Sequence, residues 1–256
     1  MRGDAILSIE GVSKSFGGLM AVSNLSFQVR AGAIKAVIGP NGAGKSTLFN
    51  LISGLEPLLC GRIVLNGCDL NGLKPNRRAA LGLARTFQTP QIFDNMTVLD
   101  NVMVGRHLQG KAGLFDALFY TARSRREDLA MRKQCLQVLA KVGLEDRAYD
   151  DAGGLACGQL KLLEMARALA LDPKVLLLDE SAAGLTRKET EHMMTIVRSV
   201  RGEGVTVLLV EHDMDLVMNL SDEVVVLNFG EKIAEGTPGV IQRDERVIEI
   251  YLGSEV

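Results

Sequence analysis

One run of eight residues has the types and spacing that phosphate binding requires. It is Gly39-Pro40-Asn41-Gly42-Ala43-Gly44-Lys45-Ser46, which fits the pattern Gly, four residues, Gly-Lys-Ser/Thr. Glycines let the backbone approach a ligand closely, and successive N–H groups then face its anionic oxygens. In such a loop Lys45 reaches the β- and γ-phosphates, and the Ser46 hydroxyl binds Mg²⁺. This run, the phosphate loop below, predicts a triphosphate pocket.

Two regular elements must hold the phosphate loop in place. The apolar run Ile34–Ile38 predicts a buried strand before it, and Lys45–Ser53 predicts a helix that ends at Gly54. The helix N-terminus adds partial positive charge to the anion site. An ordinary glycine-rich turn is the alternative, and the nucleotide-binding motifs further along the chain argue against it.

A second strong motif is the apolar run Val175–Asp179, followed by Glu180. The run predicts a buried parallel strand that ends in acidic residues. Hydrolysis of a phosphoanhydride needs an acid near Mg²⁺ and a group that orients the attacking water. Asp179 suits the metal, and Glu180 suits the general base or water-positioning role. Two solvated acids at a strand end are the alternative.

Two further residues are weaker candidates. Gln88, within Arg85-Thr86-Phe87-Gln88, carries a carboxamide that could bind Mg²⁺ or its water; an ordinary loop glutamine is the alternative. His212 follows the apolar run Thr206–Val210, where an imidazole could contact the γ-phosphate. A structural histidine is the alternative there.

Two other positions suit a nucleotide less specifically. The run Leu155-Ala156-Cys157-Gly158-Gln159 precedes a predicted helix, and a small-residue turn at a helix N-terminus can bind an anion. Phe16, before Gly17-Gly18, could stack on a purine; an aromatic side chain in the core is the commoner role.

Composition restricts the class of protein. The 256 residues suffice for one large α/β domain or two small lobes, and 47% of them are hydrophobic. A net charge of −2 and the absence of tryptophan argue against a nucleic-acid partner. A solvated helix face is the favoured interpretation of Arg123, Arg125 and Arg126.

Cysteine spacing and hydropathy restrict it further. Cys60, Cys68, Cys135 and Cys157 form no C-x-x-C pair, and only three histidines accompany them. A zinc site or disulfide framework is therefore disfavoured, and a reducing compartment is favoured. We expect neither a signal peptide nor a membrane span, so any membrane connection goes through a partner.

The remaining pattern outlines the secondary structure. It predicts strands within 5–37 and at 62–65, helices at 131–142 and 189–201, a mainly helical stretch over about 90–155, and a hairpin at 224–234 around Asn228-Phe229-Gly230.

The motifs together resemble those of ATP-binding cassette (ABC) ATPases across essentially the whole chain. The order is the phosphate loop with Thr47, Gln88, Leu155-Ala156-Cys157-Gly158-Gln159, Leu178-Asp179-Glu180 and Glu211-His212-Asp213. Finer features resemble the first ATPase subunit of branched-chain amino-acid importers. They are Gly17-Gly18-Leu19-Met20-Ala21-Val22, Arg85-Thr86-Phe87-Gln88, Gly113-Leu114-Phe115, Ser181-Ala182-Ala183-Gly184-Leu185, Glu211-His212-Asp213-Met214 and Tyr251-Leu252-Gly253.

The resemblance implies an α/β fold: a P-loop NTPase (RecA-like) core with an antiparallel β-subdomain and a helical ABC subdomain. The chain would be a single ABC domain, with the core and β-subdomain at about 1–89 and 160–256 and the helical subdomain at about 90–159. Two such subunits would close head-to-tail on two ATP molecules with Mg²⁺. Residues 155–159 would then complete the partner's site, and His212 would sense the γ-phosphate.

The resemblance also implies partners. These are two transmembrane permease subunits, a second ABC ATPase subunit that is a copy or a relative, and, indirectly, a periplasmic solute-binding protein. The groove near Gln88 would receive a short helix of the membrane subunit, and the protein would lie peripherally on the cytoplasmic side of the bacterial inner membrane. A soluble ABC ATPase acting on ribosomes or DNA and a weakly hydrolysing ATP-binding regulatory subunit are the alternatives.

Four residues depart from the family pattern. Ala156 replaces a serine and Cys157 a glycine in Leu-Ser-Gly-Gly-Gln. Ser181 replaces the proline that usually follows the catalytic glutamate, so the turn loses a fixed φ. Thr186 replaces an aspartate of the loop that crosses the dimer interface. These departures bear on the hydrolysis rate and on the strength of the dimer interface, and they leave the nucleotide cradle intact.

Overall fold

Residues 5–106 and 122–252 are described by the computed structural model, and they form two β-sheets with helices around them. The strands are β1 (Ala5–Phe16), β2 (Leu19–Arg30), β3 (Ile34–Ile38), β4 (Cys60–Leu65), β5 (Cys68–Asp69), β6 (Leu83–Arg85), β7 (Val175–Asp179), β8 (Thr206–Val210), β9 (Glu223–Asn228) and β10 (Glu231–Gly236). The helices are α1 (Lys45–Ser53), α2 (Pro75–Ala80), α3 (Val98–Arg106), α4 (Ala122–Val142), α5 (Cys157–Leu169), α6 (Arg187–Gly202), α7 (Met214–Leu220), α8 (Pro238–Ile241) and α9 (Glu245–Leu252).

The larger sheet has the order β10-β9-β3-β8-β7-β6 and is parallel apart from β10. Every residue of β3, β7 and β8 is buried, because helices or the second sheet cover both faces. Ala36 and Ile38 pack on one face while Val37 packs on the other. Parallel strands end at a common edge, so the phosphate loop, Asp179 and the residues after Val210 emerge together there.

The smaller sheet is antiparallel, with the order β2-β1-β4-β5. Leu25, Phe27 and Val29 of β2 are buried and alternate with exposed residues, which confirms the predicted period of two. This apolar face and helix α1 share one core cluster with a face of the larger sheet. The smaller sheet therefore packs against the helix that begins at the phosphate loop.

The described chain between β6 and β7 is helical apart from loops and 3₁₀ turns. Cys135, Leu139 and Val142 of α4 are fully buried, and α5 buries Met165 and Ala166 in the same cluster. Helix α5 spans the domain boundary that we expect near residue 159. No helix among the described residues has the length and apolarity needed to cross a membrane.

Most predicted elements are confirmed, and some bounds change. Helix α1 ends at Gly54, whose φ is 80°, and β9 and β10 form the predicted hairpin around Phe229. The helices predicted at 131–142 and 189–201 are longer and correspond to Ala122–Val142 and Arg187–Gly202. Outside the described residues lie Gly113-Leu114-Phe115, Gly253 and residues 1–4, as do the side chains of Arg123, Arg125, Arg126 and Leu252.

Candidate functional site

The phosphate loop is packed so closely that two of its positions admit only glycine. A Cβ at Gly39 would lie 2.2 Å from the Leu227 carbonyl oxygen, and φ there is +153°. A Cβ at Gly44 would lie 2.4 Å from the Ala21 carbonyl oxygen, with φ at +98°. The loop therefore packs closely against β9 and β2, and a side chain at either glycine would collide with their backbone.

Lys45 lies inside this loop. Its Nζ donates hydrogen bonds to the carbonyl oxygens of Gly39 (2.6 Å) and Pro40 (2.9 Å). Burial lowers the pKa of Lys45, and the nearby carboxylates of Glu180 and Asp179 oppose that shift. The loop therefore holds its one lysine close to the two acids that follow β7.

A cavity of about 480 Å³ opens over the phosphate loop. Its volume is in the range of small-molecule sites. The predicted residues that line it are Asn41, Gly42, Ala43, Gly44, Lys45, Ser46, Thr47, Glu180 and His212. Leu19, Met20, Ala21 and Phe229 complete the lining. Three segments far apart in sequence therefore meet around one cavity, as the motifs predict.

Glu180 is held by contacts on both of its carboxylate oxygens. Gln88 Nε2 donates to Glu180 Oε2 at 2.6 Å, and His212 Nε2 lies 2.7 Å from Glu180 Oε1. The Glu180 N–H donates to the Val210 carbonyl oxygen, and its φ is +47°, a region that L-residues rarely adopt. Such backbone strain is concentrated at functional sites, where the surrounding structure imposes it.

Asp179 is buried beside Glu180 and is already paired. Arg85 Nη2 lies 2.7 Å from Asp179 Oδ2, and both side chains are 7% exposed. The Asp179 N–H donates to Thr86 Oγ1 at 3.3 Å. The carboxylate therefore has a defined orientation at the edge of the sheet.

The donor set suits Mg²⁺. Ser46, Asp179 and Gln88 supply a hydroxyl, a carboxylate and a carboxamide, all of them hard oxygen donors. Among the described residues, no group of three or more His, Cys, Asp or Glu could hold a metal ion. Mg²⁺ in nucleotide sites commonly takes only one or two carboxylates together with phosphate oxygens, so the residues present fit that ion.

Residues 155–159 are not brought to this cavity. None of them lines it, and α5 begins at Cys157, so only Leu155 and Ala156 precede the helix that we expect to follow the whole run. Gln159 Oε1 accepts from the Ala156 N–H at 3.1 Å, while Ala156 has no side-chain oxygen to cap the helix. The exposed Cys157 sits in the first turn.

Phe16 is at the end of β1 and 45% exposed, so the core alternative for this residue is wrong. Its ring lies 4.8 Å from Lys14 Nζ, a cation–π contact. Phe16 is not among the cavity-lining residues, whereas Leu19 and Met20, just after the turn, are. The hairpin of β1 and β2 thus lines the cavity with the first residues of β2 and not with the end of β1.

Two of the departures from the family pattern have partners of their own. Ser181 is buried, and its Oγ lies 3.0 Å from Thr86 Oγ1. Thr186 is the N-cap of α6: its Oγ1 accepts from the Glu189 N–H, and its own N–H donates to Glu189 Oε2. Both hydroxyls therefore take part in hydrogen bonds within their own chain.

The sequence interpretation assigned no role to two buried acids that support the site. Glu211 accepts from the Ala182 N–H at 2.9 Å, and burial raises its pKa to about 7. Glu164 accepts from the N–H groups of Phe87 and Gln91, and burial raises its pKa as well. A lone acid within a helical or strand-end run carries no sequence signal for such contacts.

Comparison with known families identifies the architecture. Residues 22–183 match the family model for ABC transporters. The chain belongs to the ABC transporter family. Residues 231–256 of this ABC protein also match the model described as branched-chain amino acid ATP-binding cassette transporter. The fold is accordingly that of a P-loop ABC cassette, and the protein is an ATPase by family.

Similar proteins cover nearly the full length of this ABC ATPase. The high-affinity branched-chain amino acid transport ATP-binding protein LivG of Salmonella typhimurium is 41% identical over 97% of this chain and 98% of its own. The protein BraF of Pseudomonas aeruginosa, which carries the same description, has the same identity and coverage. A solved ABC cassette in its ADP conformation is 33% identical and has a TM-score of 0.84. The match covers 98% of this chain and 99% of that one.

Proposed function

We propose that this chain is the ATP-hydrolysing subunit of an ABC importer for branched-chain or related amino acids. The observation that carries this proposal is the match of residues 231–256 to the branched-chain transporter model, on a chain that also contains the nucleotide cavity. The full-length similarity to LivG and BraF supports it.

ATP is the substrate in this proposal, and its phosphates lie on the phosphate loop. Lys45 leaves the carbonyl oxygens that it now contacts and pairs with the β- and γ-phosphates. Ser46, Asp179 and Gln88 would hold Mg²⁺, and the ion would supply positive charge against the phosphates. The adenine base lies toward the β1–β2 turn, where Leu19 and Met20 line the cavity. Phe16, at the same turn, is exposed and could stack on the base.

Glu180 positions the attacking water and accepts its proton. Gln88 and His212 contact its two oxygens and orient the carboxylate at the edge of the cavity. His212 also faces the cavity and contacts the γ-phosphate when that phosphate is present. These residues supply one side of a hydrolytic site, and the other side of the nucleotide is left uncovered.

The missing wall comes from a partner ATPase subunit. Residues 155–159 lie away from their own cavity, which supports a role in the site of a facing subunit. Because Ala156 has no hydroxyl, this run offers backbone N–H groups and the N-terminus of α5 to the partner's nucleotide.

In this proposal the core, with the β-subdomain, comprises about 1–89 and 160–256, and about 90–159 forms the helical subdomain.

The remaining partners are two permease subunits and, indirectly, a periplasmic solute-binding protein. The chain lies peripherally on the cytoplasmic side of the inner membrane, and the surface near Gln88 contacts the permease. No nucleic acid is a partner, in keeping with the net charge of −2.

Reconstitution tests the proposal. The chain is assembled in proteoliposomes with the permease subunits and binding protein of a branched-chain amino-acid importer, and phosphate release is measured with and without leucine. We expect leucine and binding protein to stimulate hydrolysis, and the Glu180→Gln variant to abolish it. Hydrolysis that responds instead to ribosomes or DNA, or that no amino acid stimulates, would overturn the assignment to import.

A further inference from the structure

We infer that Arg85 is a positioning residue for Asp179 and sets how well the site binds Mg²⁺. The inference rests on the proposed role of Asp179 in the metal site. It concerns a residue that the motif Arg85-Thr86-Phe87-Gln88 contains but to which the sequence assigned no role.

The guanidinium of Arg85 joins three elements in the interior. Its Nη2 contacts Asp179 Oδ2 at 2.7 Å, at the end of β7. Its Nη1 donates to Asn50 Oδ1 at 2.9 Å and to Ser53 Oγ at 2.7 Å, both on α1. Helix α1 starts at the phosphate loop, so Arg85 links the metal carboxylate to the element that carries Lys45 and Ser46.

Two aromatic rings lie beside this guanidinium at cation–π distance. The Arg85 Cζ lies 4.9 Å from the Phe87 ring centroid and 5.6 Å from that of Phe49. Its Nε is buried and has no hydrogen-bond acceptor among the described residues. The position of the guanidinium is therefore set by the hydrogen bonds of Nη1 and Nη2, while Nε remains without one. A lysine, with a single ammonium and no planar fork, could not reproduce it.

The strand register brings Arg85 and Thr86 to Asp179 from one side. Arg85 pairs with Leu177 across β6 and β7, and the Thr86 N–H donates to the Leu177 carbonyl oxygen. Arg85 then occupies Asp179 Oδ2 while Thr86 accepts from the Asp179 N–H. No described residue donates to Oδ1, so Oδ1 is the oxygen that the pair leaves for a cation.

The Mg²⁺ requirement of ATP binding tests this inference. In the Glu180→Gln background, which prevents turnover, ATP binding is followed by the shift in melting temperature, in EDTA and across a Mg²⁺ titration. For Arg85→Met we expect the half-saturating Mg²⁺ concentration to rise about 10- to 100-fold, as for other residues that orient metal ligands. ATP binding in EDTA should change little, because the hydrogen bonds of Arg85 go to Asn50, Ser53 and Asp179 and none goes to the phosphate loop.

A matched control is available on the surface. Arg62 and Asp69 form an ion pair of 2.8 Å with both side chains about half exposed, so Arg62→Met removes the same group away from the site. We expect no change in Mg²⁺ requirement for that variant. If Arg85→Met does not fold, Arg85→Lys supplies the measurement, since it keeps the charge and loses the fork, and its Mg²⁺ requirement should also rise.

Two outcomes are distinguishable. An unchanged Mg²⁺ requirement in the Arg85 variants, with only a lower melting temperature, would show that Arg85 stabilises the fold without affecting Mg²⁺ binding. That result would overturn the inference. An Asp179→Asn variant with an unchanged Mg²⁺ requirement would instead overturn the proposed metal role of Asp179, whatever Arg85 does.

Discussion

His212 Nε2 lies 2.7 Å from Glu180 Oε1, although 32 positions separate the two residues in the chain. Gln88 contacts the other oxygen of Glu180 at 2.6 Å. The proposed general base is thus fixed between residues that follow β6 and β8, the strands on either side of its own strand β7. Movement of either neighbouring loop would reorient Glu180, so we expect hydrolysis to depend on all three strand ends.

We predict that Glu180→Gln binds ATP but hydrolyses it about 100-fold or more slowly, because an amide cannot accept the proton of water. Gln is nearly isosteric, so ATP should still raise the melting temperature. Phosphate release and the thermal shift measure the two effects. Glu191→Gln, at an exposed position of α6, is the control and should hydrolyse normally. Normal hydrolysis by Glu180→Gln would refute the assigned role.

We expect the reactivity of Cys157 to report on closure against the proposed partner subunit. It is exposed, whereas Cys135 is buried, so maleimide should label Cys157 readily in a Cys60→Ser/Cys68→Ser background. In the Glu180→Gln background, addition of ATP and Mg²⁺ should slow that labelling several-fold, because the partner's nucleotide then covers the turn. Mass spectrometry over time measures the rate. Labelling that ATP does not slow would argue against the composite site.

Glu211 makes stability depend on pH in a defined window. Burial raises its pKa from 4.5 to about 7, so between these values the folded protein retains a proton that the unfolded chain loses. The contribution of Glu211 to the free energy of unfolding therefore falls by about 3 kcal/mol in total as pH rises from 4.5 to 7. Glu211→Gln keeps an acceptor for the Ala182 N–H and removes the charge.

We accordingly expect Glu211→Gln to gain stability over the native protein as pH rises from 5 to 8. Urea denaturation at both values measures this gain. Glu10→Gln, at an exposed position, should give no such trend. An equal stability difference at pH 5 and pH 8 would show that Glu211 titrates normally.

Glu164 should control the order of the loop that carries Gln88. Glu164→Ala leaves the N–H groups of Phe87 and Gln91 without their acceptor, at a cost of about 1–3 kcal/mol. Amide hydrogen exchange at these two residues should accelerate, and hydrolysis should fall because Gln88 orients Glu180. Glu164→Gln keeps an acceptor oxygen and should be milder. Unchanged exchange in Glu164→Ala would exclude this support.

Some of the site is local in sequence and could therefore be predicted. Strand β3, the phosphate loop and α1 are consecutive, and their apolar runs and glycines specify each element within a few residues. Helix α4 was predicted too short, because its first half is mostly polar and charged and lacks the apolar spacing on which the prediction relied.

The residue pattern alone is enough to predict which residues could bind a triphosphate, and that Ile34–Ile38 and Val175–Asp179 form buried strands. The order of the strands in the sheet, and with it the meeting of Gln88, Glu180 and His212, is visible only in the folded domain. It alone paired Arg85 with Asp179. The physical reason is that side-chain contacts at the edge of a parallel sheet depend on strand order and register, which arise from packing of the whole domain rather than from any local run of residues.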